Sequence, residues 1–158
     1  MVGLPKISDS FSALDWISER TKNPDQHSYS AIHADHGFVG FVDLAVSCQA
    51  AFLCFWVGVD FQGRGYAAQI ATLACELAAM NGISHIFTSA YKDNFRSIKT
   101  LSRVGFATFE EQPLPPNDDK IYFYLPTPDD DREGLLTELI EYNRRCDIAL
   151  EFSAKRTY

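Results

Sequence analysis

The chain has 158 residues, of which 46% are hydrophobic, and a formal net charge of −7 at pH 7. A chain of this length can bury one sizeable core, and its acidic balance excludes a broad basic surface for nucleic acid. No apolar run approaches the length of a membrane span, and no signal-peptide pattern opens the chain. The four cysteines form no CxxC pair, which favours reduced, buried thiols. We therefore expect a cytoplasmic protein with neither a membrane nor a nucleic-acid partner.

The first half of the chain predicts one helix followed by three strands. Apolar residues at helical spacing indicate an amphipathic helix over residues 8–20. Residues 29–34 and 38–46 are rich in β-formers and flank a hairpin turn at residues 35–37. The mostly apolar run over residues 52–59 is typical of a central strand.

The second half alternates helices and strands. A helix follows residues 62–67 and ends at Asn81-Gly82, where a left-handed residue can close it. A further helix is capped by Asp93 or Asn94 and ends at Gly105. Strands are predicted for residues 85–91, 106–109 and 121–125.

This order predicts an α/β (α+β) domain with a largely antiparallel sheet that helices cross at its middle. The Pro- and Asp-rich residues 126–131 separate a domain over residues 1–126 from a helical extension over residues 127–158. The apolar stripe of that extension can dock on its own domain or form an interface helix, and the second alternative makes a homodimer possible.

The most informative segment is Gln-Gly-Arg-Gly-Tyr-Ala at residues 62–67, between a predicted strand and a predicted helix. A glycine loop at this junction points several backbone N–H groups at one place, with the positive end of the helix dipole behind them. Such an arrangement binds phosphate. The alternative is a tight turn that needs glycine for its geometry alone.

Two known phosphate loops fit this segment poorly. A Walker loop requires a lysine after its last glycine, and Tyr66-Ala67 does not supply one. Gly63 to Ala68 satisfies a loose dinucleotide fingerprint, and Asp93 follows the next strand. That fold, however, opens with its glycine loop on the first strand of a parallel sheet, whereas antiparallel strands precede this loop.

A third pattern matches better. Residues 62–67 resemble the Q/RxxGxG/A loop of the GNAT family of N-acetyltransferases, and Asn94-Phe-Arg-Ser97 with Val104-Gly105-Phe106 resembles the NxxS…GF signature of its RimJ/RimL-like branch. The resemblance extends over residues 16–125. It implies a mixed, mostly antiparallel sheet with splayed central strands flanked by helices, and a first strand that is short or missing.

The resemblance also implies acetyl-CoA as cosubstrate. Backbone groups near Val57 and Val59 would then hold the pantetheine arm, which Asn94 would also contact. The pyrophosphate would be held by the loop residues Gln62, Gly63, Arg64, Gly65, Tyr66 and Ala67.

The implied reaction is attack of a primary amine, from a small molecule or a protein N-terminus, on the thioester. Leu101 stands where many family members have a tyrosine acid, and Ser97 matches the serine of the RimL-like branch. Asp43 and either Glu110 or Glu111 are candidates for the general base, although a carboxylate in such a position is more often an ordinary surface charge. The four histidines show no ligand constellation, so we expect no metal.

Two questions stay open at the level of the sequence. Arg96, Lys99 and Arg103 share one helix face, which can meet nucleotide phosphates or simply be solvated. The unusual Leu101 and the helical tail are also compatible with a noncatalytic module that binds acyl-CoA or a partner.

Overall fold

A mixed sheet of six strands organises the part of the chain that the computed structural model describes: residue 18, residues 22–128 and residues 131–153. Apart from residue 18, the predicted helix over residues 8–20 lies outside these ranges. The strand order is β1-β2-β3-β4-β6-β5. The bounds are β1 Gln26–His33, β2 Gly37–Ser47, β3 Ala50–Val57, β4 His85–Tyr91, β5 Ala107–Thr108 and β6 Lys120–Tyr124.

Antiparallel pairing dominates this sheet. β1, β2 and β3 form a continuous antiparallel meander, and β6 pairs antiparallel with both β4 and β5. The single parallel contact joins β3 to β4, which is the contact that a helical crossover requires. The mixed, mostly antiparallel sheet predicted from the sequence is therefore confirmed.

Three helices of the described ranges complete the fold: α1 Tyr66–Met80, α2 Phe95–Val104 and α3 Arg132–Arg145. α1 begins after a left-handed Gly65, and α2 ends at a left-handed Gly105, as the glycine positions predict. The Asp131 carboxylate caps α3 by accepting from the N–H groups of Glu133 and Gly134. No helix in these ranges is long and apolar enough to cross a membrane.

Alternation along the strands builds a core on each face of the sheet. On one face, Leu53 packs with the apolar sides of α1 and α2, which include Ile70 and Leu101. On the other face, Phe87 packs against Leu139 of α3. The sheet is thus covered by α1 and α2 on one side and by α3 on the other.

Helix α3 is held on its own chain by specific contacts at both ends. Near its start, Arg132 forms an ion pair with Glu110 at 2.6 Å. Near its end, the buried Tyr142 donates its hydroxyl hydrogen to the carbonyl of Ala45 at 2.7 Å. The apolar stripe predicted for the extension therefore packs in cis.

The four cysteines match the expectation of reduced, buried thiols only in part. No disulfide joins them, and all four lie in the described ranges. Cys75 is buried, but Cys48 and Cys146 are exposed, because they lie in a hairpin turn and at the end of a helix, where no element covers them. The expectation of buried thiols therefore holds for Cys75 but not for Cys48 and Cys146.

Replacement of Leu139 tests how much α3 contributes to stability. Leu139 is fully buried at 0% exposure, so Leu139→Ala removes apolar contacts and leaves a cavity. We expect the free energy of unfolding to fall by about 2–5 kcal/mol, measured by urea denaturation. Met80→Ala, at a residue that is 84% exposed, is the control and should change stability by less than about 0.5 kcal/mol. A small loss at Leu139 would mean that α3 is not firmly docked.

Candidate active site

The two central strands separate partway along their length. β3 and β4 pair only through Ala50–Phe52 and His85–Phe87, although both strands continue well beyond these residues. The Thr88 hydroxyl donates to the carbonyl of Leu53 at 2.8 Å, just past the end of this ladder. Beyond that point each strand stays paired with its outer neighbour only. An opening therefore lies in the middle of the sheet, between two strand edges that carry hydrogen-bonding groups.

The glycine loop follows β3 directly at this opening. A short 3-10 turn, Val59–Phe61, leads into Gly63 and Gly65, whose φ angles are 77° and 87°. These left-handed angles favour glycine, and a Cβ built on either residue meets nothing within 4 Å. Both glycines are therefore required by the backbone and also border open space. Gly65 makes no side-chain cap, so the first N–H groups of α1 are left for a ligand or water.

The α1–α2 cavity, with a volume of about 990 Å³, lies next to this loop. It is lined by most of the predicted site residues, namely Val57, Val59, Gln62, Gly63, Gly65, Tyr66, Ala67, Asn94 and Ser97. Arg64 belongs to the loop, but it is exposed and does not line the cavity. The lining also includes residues that the sequence did not single out: Phe55, Phe61, Ala68 and Thr100.

A side-chain link crosses the cavity wall. Gln62 donates to the carbonyl of Val57 at 3.3 Å, and its own carbonyl accepts from Arg96 of α2 at 2.9 Å. The loop is thereby connected both to the end of β3 and to α2. Gln62 acts here through its side chain, as a support of the loop geometry.

The basic face of α2 lines the same cavity. Arg96, Lys99 and Arg103 are exposed to solvent and border the space in front of the glycine loop. Their positive charge lies close to the positive end of α1, in a chain whose formal net charge is −7. The cavity is therefore suited to a ligand with several phosphates.

The start of α2 places Asn94 and Ser97 together. The side-chain carbonyl of Asn94 accepts from the Ser97 N–H at 3.2 Å, which makes Asn94 the N-cap of the helix. Both residues also line the α1–α2 cavity. Leu101, one turn further, is 1% exposed and packs in the core.

A second space, the α3-side cavity, lies on the opposite face of the sheet and has a volume of about 400 Å³. Its lining includes Asp43 and Trp56, and Trp56 also lines the α1–α2 cavity. The two cavities therefore adjoin at the opening between β3 and β4. The Trp56 indole forms part of the wall of both cavities, and the sequence could not assign it to either one.

The two carboxylates predicted as bases have different surroundings. Asp43 is 5% exposed and accepts hydrogen bonds from Gln26 and from Ser28, the latter at 2.6 Å. Glu110 is exposed, pairs with Arg132 and lines neither cavity. The structure brings Asp43 to a cavity and places Glu110 outside both.

Burial raises the pKa of one phenol that lines the α3-side cavity. Burial, with a smaller contribution from Asp119, raises the pKa of Tyr122 to about 12. Tyr122 therefore stays protonated near neutral pH and can donate a hydrogen bond inside the cavity.

The histidines form no metal cluster in the described ranges, where no group of three or more His, Cys, Asp or Glu residues is placed to hold a metal ion. His33 and His36 stack with ring centroids 4.7 Å apart, and His33 also contacts the Tyr66 ring. These rings pack against the loop from outside the cavity.

Comparison with known proteins gives a family match. Residues 3–107 match the family model described as an acetyltransferase (GNAT) domain. No curated protein sequence matches the chain.

Solved structures share the fold. A variant of spermidine N-acetyltransferase SpeG from Vibrio cholerae is 15% identical, with a TM-score of 0.63 over 73% of this chain and 75% of that one. The ribosomal-protein-S5-alanine acetyltransferase from Vibrio fischeri is 16% identical, with a TM-score of 0.62 over 74% and 70%. A complex of the Vibrio cholerae spermidine enzyme with CoA and spermine is 14% identical, with a TM-score of 0.60 over 73% of each chain.

Proposed function

This chain belongs to the GNAT acetyltransferase family, and we propose that it transfers the acetyl group of acetyl-CoA to a primary amine by direct attack. One observation carries this proposal: the glycine loop, the N-terminus of α1 and the opening between β3 and β4 all border the same cavity of about 990 Å³. A phosphate-binding loop beside an unpaired strand edge suits a ligand that has both phosphates and an extended, amide-containing arm.

The residues present fit acetyl-CoA. Backbone N–H groups at Gly63, Gly65 and the start of α1 would hold the pyrophosphate, supported by the Gln62–Arg96 link. Polar backbone groups near Val57 and Val59, with Asn94 opposite, would hold the pantetheine arm. Arg64, which is exposed at the rim, would add charge without forming part of the wall.

The basic face of α2 would interact with the remaining phosphates. Arg96, Lys99 and Arg103 all border the cavity. We therefore infer that these side chains bind the ligand and are not simply solvated. Each exposed charge contact contributes only up to about 1 kcal/mol. Most of the affinity is therefore assigned to the backbone of the loop.

The chemistry is divided between the two faces of the sheet. Bound acetyl-CoA supplies a thioester, and a neutral amine attacks its carbonyl carbon. A primary amine with a pKa of about 8–10 must first lose a proton, to a carboxylate or through water. Asp43 is the predicted carboxylate that lines the α3-side cavity, from which the amine would enter. A backbone N–H near Val57 would stabilise the oxyanion.

Ser97 is proposed to protonate the departing sulfur. It lies at the first turn of α2 on the cavity wall, whereas Leu101 is buried and has no proton to give. A thiol with a pKa of about 8.5 is a tolerable leaving group, so this assistance is helpful without being essential.

The acceptor can be a small-molecule amine or a protein N-terminus. The solved structures of similar fold include enzymes named for spermidine and for a ribosomal protein, so the fold alone does not choose between these classes. Three expectations stay predictions: the cytoplasmic location, the homodimer, and the division into a domain at residues 1–126 and an extension at residues 127–158.

Release of free thiol from acetyl-CoA, measured against a panel of amines and peptides, tests the proposed activity directly. Turnover with at least one amine is expected. Tight CoA binding without turnover on any member of the panel would favour a noncatalytic acyl-CoA-binding module.

The glycine loop is tested by Gly65→Glu. The new carboxylate would occupy the pyrophosphate position and repel it, so we expect CoA binding, measured by calorimetry, to be abolished. Gly82→Glu is a matched control, because Gly82 has a similar φ of 78° and equally open surroundings at the other end of α1. Both variants carry about 1–2 kcal/mol of backbone strain, and only the first should lose CoA. Equal CoA affinity of the two variants would contradict the assigned position of the loop.

The basic face is tested by the double variant Lys99→Gln/Arg103→Gln. Loss of two exposed contacts of about 0.5–1 kcal/mol each should weaken CoA binding about 5- to 30-fold and reduce its dependence on salt. The control is Lys22→Gln/Arg144→Gln, which removes the same charge from two exposed residues that line neither cavity. If both double variants lose affinity equally, only the overall charge matters.

For Ser97→Ala we expect a larger loss in kcat than in CoA affinity, because the hydroxyl acts when the sulfur departs. Ser102→Ala is the control on the same helix, since the Ser102 hydroxyl donates to the Ile98 carbonyl and lines neither cavity. Steady-state kinetics and calorimetry on both variants separate the two effects. A loss confined to CoA affinity would make Ser97 a binding residue.

A further inference from the structure

Thr88 on β4 places a hydroxyl in an otherwise apolar part of the core. It is 3% exposed, and its neighbours on the same face of the strand, Ile86 and Ala90, belong to the core cluster shared with α1 and α2. Valine has nearly the same shape as threonine and brings no hydroxyl that must be satisfied after burial. Packing alone therefore does not explain a threonine at this position.

The Thr88 hydroxyl binds β3 at the point where the two central strands separate. It donates to the carbonyl of Leu53, the first β3 residue after the parallel ladder, which ends at the pair Phe52–Phe87. A ladder extended by one step would place Thr88 opposite Leu53, and the Ser89 N–H would donate to this carbonyl. The hydroxyl therefore occupies the acceptor that the next ladder bond would use.

The end of the ladder decides which backbone groups of β3 face the opening. Because the direction of backbone groups alternates along a strand, the N–H groups of Phe55 and Val57 point to the same side as the Leu53 carbonyl. Phe55 and Val57 both line the α1–α2 cavity. In an extended ladder the Phe55 N–H would donate to the Ser89 carbonyl. The bond from Thr88 thereby keeps this N–H at the opening.

A side-chain bond suits a place where two strands diverge. Backbone bonds hold neighbouring strands about 4.8 Å apart, whereas a threonine hydroxyl extends beyond its own backbone and reaches across a wider gap. Leu53 is 0% exposed, so its carbonyl needs a donor from the protein and not from water. The Thr88 hydroxyl supplies that donor without closing the opening.

We propose that Thr88 is a positioning residue of the acetyl-transfer site: its hydroxyl ends the β3–β4 ladder and leaves the Phe55 N–H to the carbonyl oxygen of the bound thioester. This inference rests on the proposed acetyltransferase function and adds the residue that sets where the thioester lies. Thr88 lines neither cavity, so it acts only through Leu53 and the strand. A backbone N–H at that oxygen stabilises the charge that develops as the amine attacks, which requires accurate placement.

The test compares Thr88→Val, which removes the hydroxyl at nearly constant shape, with Thr88→Ser, which keeps it. A misplaced N–H donor costs about 10- to 100-fold in rate, so kcat of Thr88→Val at saturating acetyl-CoA and amine should fall by this factor. The CoA dissociation constant from calorimetry should change less than about threefold, because the glycine loop is unaltered. Thr88→Ser should keep kcat within about threefold of the wild-type value.

Thr137→Val on α3 is the matched control. The Thr137 hydroxyl also donates to a backbone carbonyl, that of Glu133 at 2.9 Å, but it is exposed and lines neither cavity. This variant removes the same kind of hydrogen bond away from the opening. It should keep both kcat and CoA affinity.

Amide hydrogen exchange of the free protein reads the ladder without turnover. If the ladder extends in Thr88→Val, the Phe55 amide gains the Ser89 carbonyl as a partner and should exchange about 10-fold more slowly than in the wild type. Faster exchange in the variant would mean that the sheet opens locally, and the role assigned to Thr88 would be wrong. If the wild-type Phe55 amide is as slow as that of Leu53, the N–H is not left to the opening and the inference fails.

The remaining outcomes are also distinguishable. Unchanged kcat in Thr88→Val would refute the positioning role and leave the acetyltransferase function intact. Equal losses in Thr88→Val and Thr88→Ser would assign the effect to packing and not to the hydroxyl. If circular dichroism shows that Thr88→Val does not fold, the wild-type exchange comparison of Phe55 with Leu53 still decides. If the wild-type protein acetylates no amine, the proposed function fails, and the Phe55 exchange rates alone decide whether Thr88 ends the ladder.

Discussion

The parallel ladder between β3 and β4 ends after Phe52 and Phe87, and the arrangement of the candidate site depends on that end. β3 remains paired with β2 as far as Val57, and β4 remains paired with β6 as far as Tyr91, so each strand is held by its outer neighbour after the two separate. Because side chains alternate across a sheet, the residues beside the opening face both sides. One opening therefore serves two cavities, which adjoin at Trp56.

The helices on one face follow from the same separation. β3 leads through the glycine loop into α1, and β4 leads into α2, so both helices begin beyond the separated ends of the two strands. Their N-termini carry backbone N–H groups without helical partners, and both border the α1–α2 cavity. In open sheets, ligands occupy the crevice beyond the carboxyl ends of strands, and this cavity has that position.

The opposite face is completed by a segment distant in the sequence. α3 packs on Phe87 and Tyr122 and contributes Tyr142 and Arg145 to the second cavity. In the described residues, the apolar cover of Phe87 and Tyr122 on this face includes Leu139 and Tyr142 of α3. The C-terminal extension, which the family model over residues 3–107 does not include, thus encloses the space where we place the acceptor.

Local patterns in the sequence determined the glycine loop, the Asn94 cap and the order of strands and helices, because turn chemistry, capping and hydrophobic periodicity act over a few residues. The family also followed from the sequence, since its motifs are local. Which charged residues meet was decided only by the tertiary structure. The sequence did not favour Asp43 over Glu110 as the general base. Strand pairing brings Asp43 to a cavity, whereas Glu110 is paired with Arg132 of a helix that folds back over the sheet. Such contacts join residues far apart in the chain, so no short pattern encodes them.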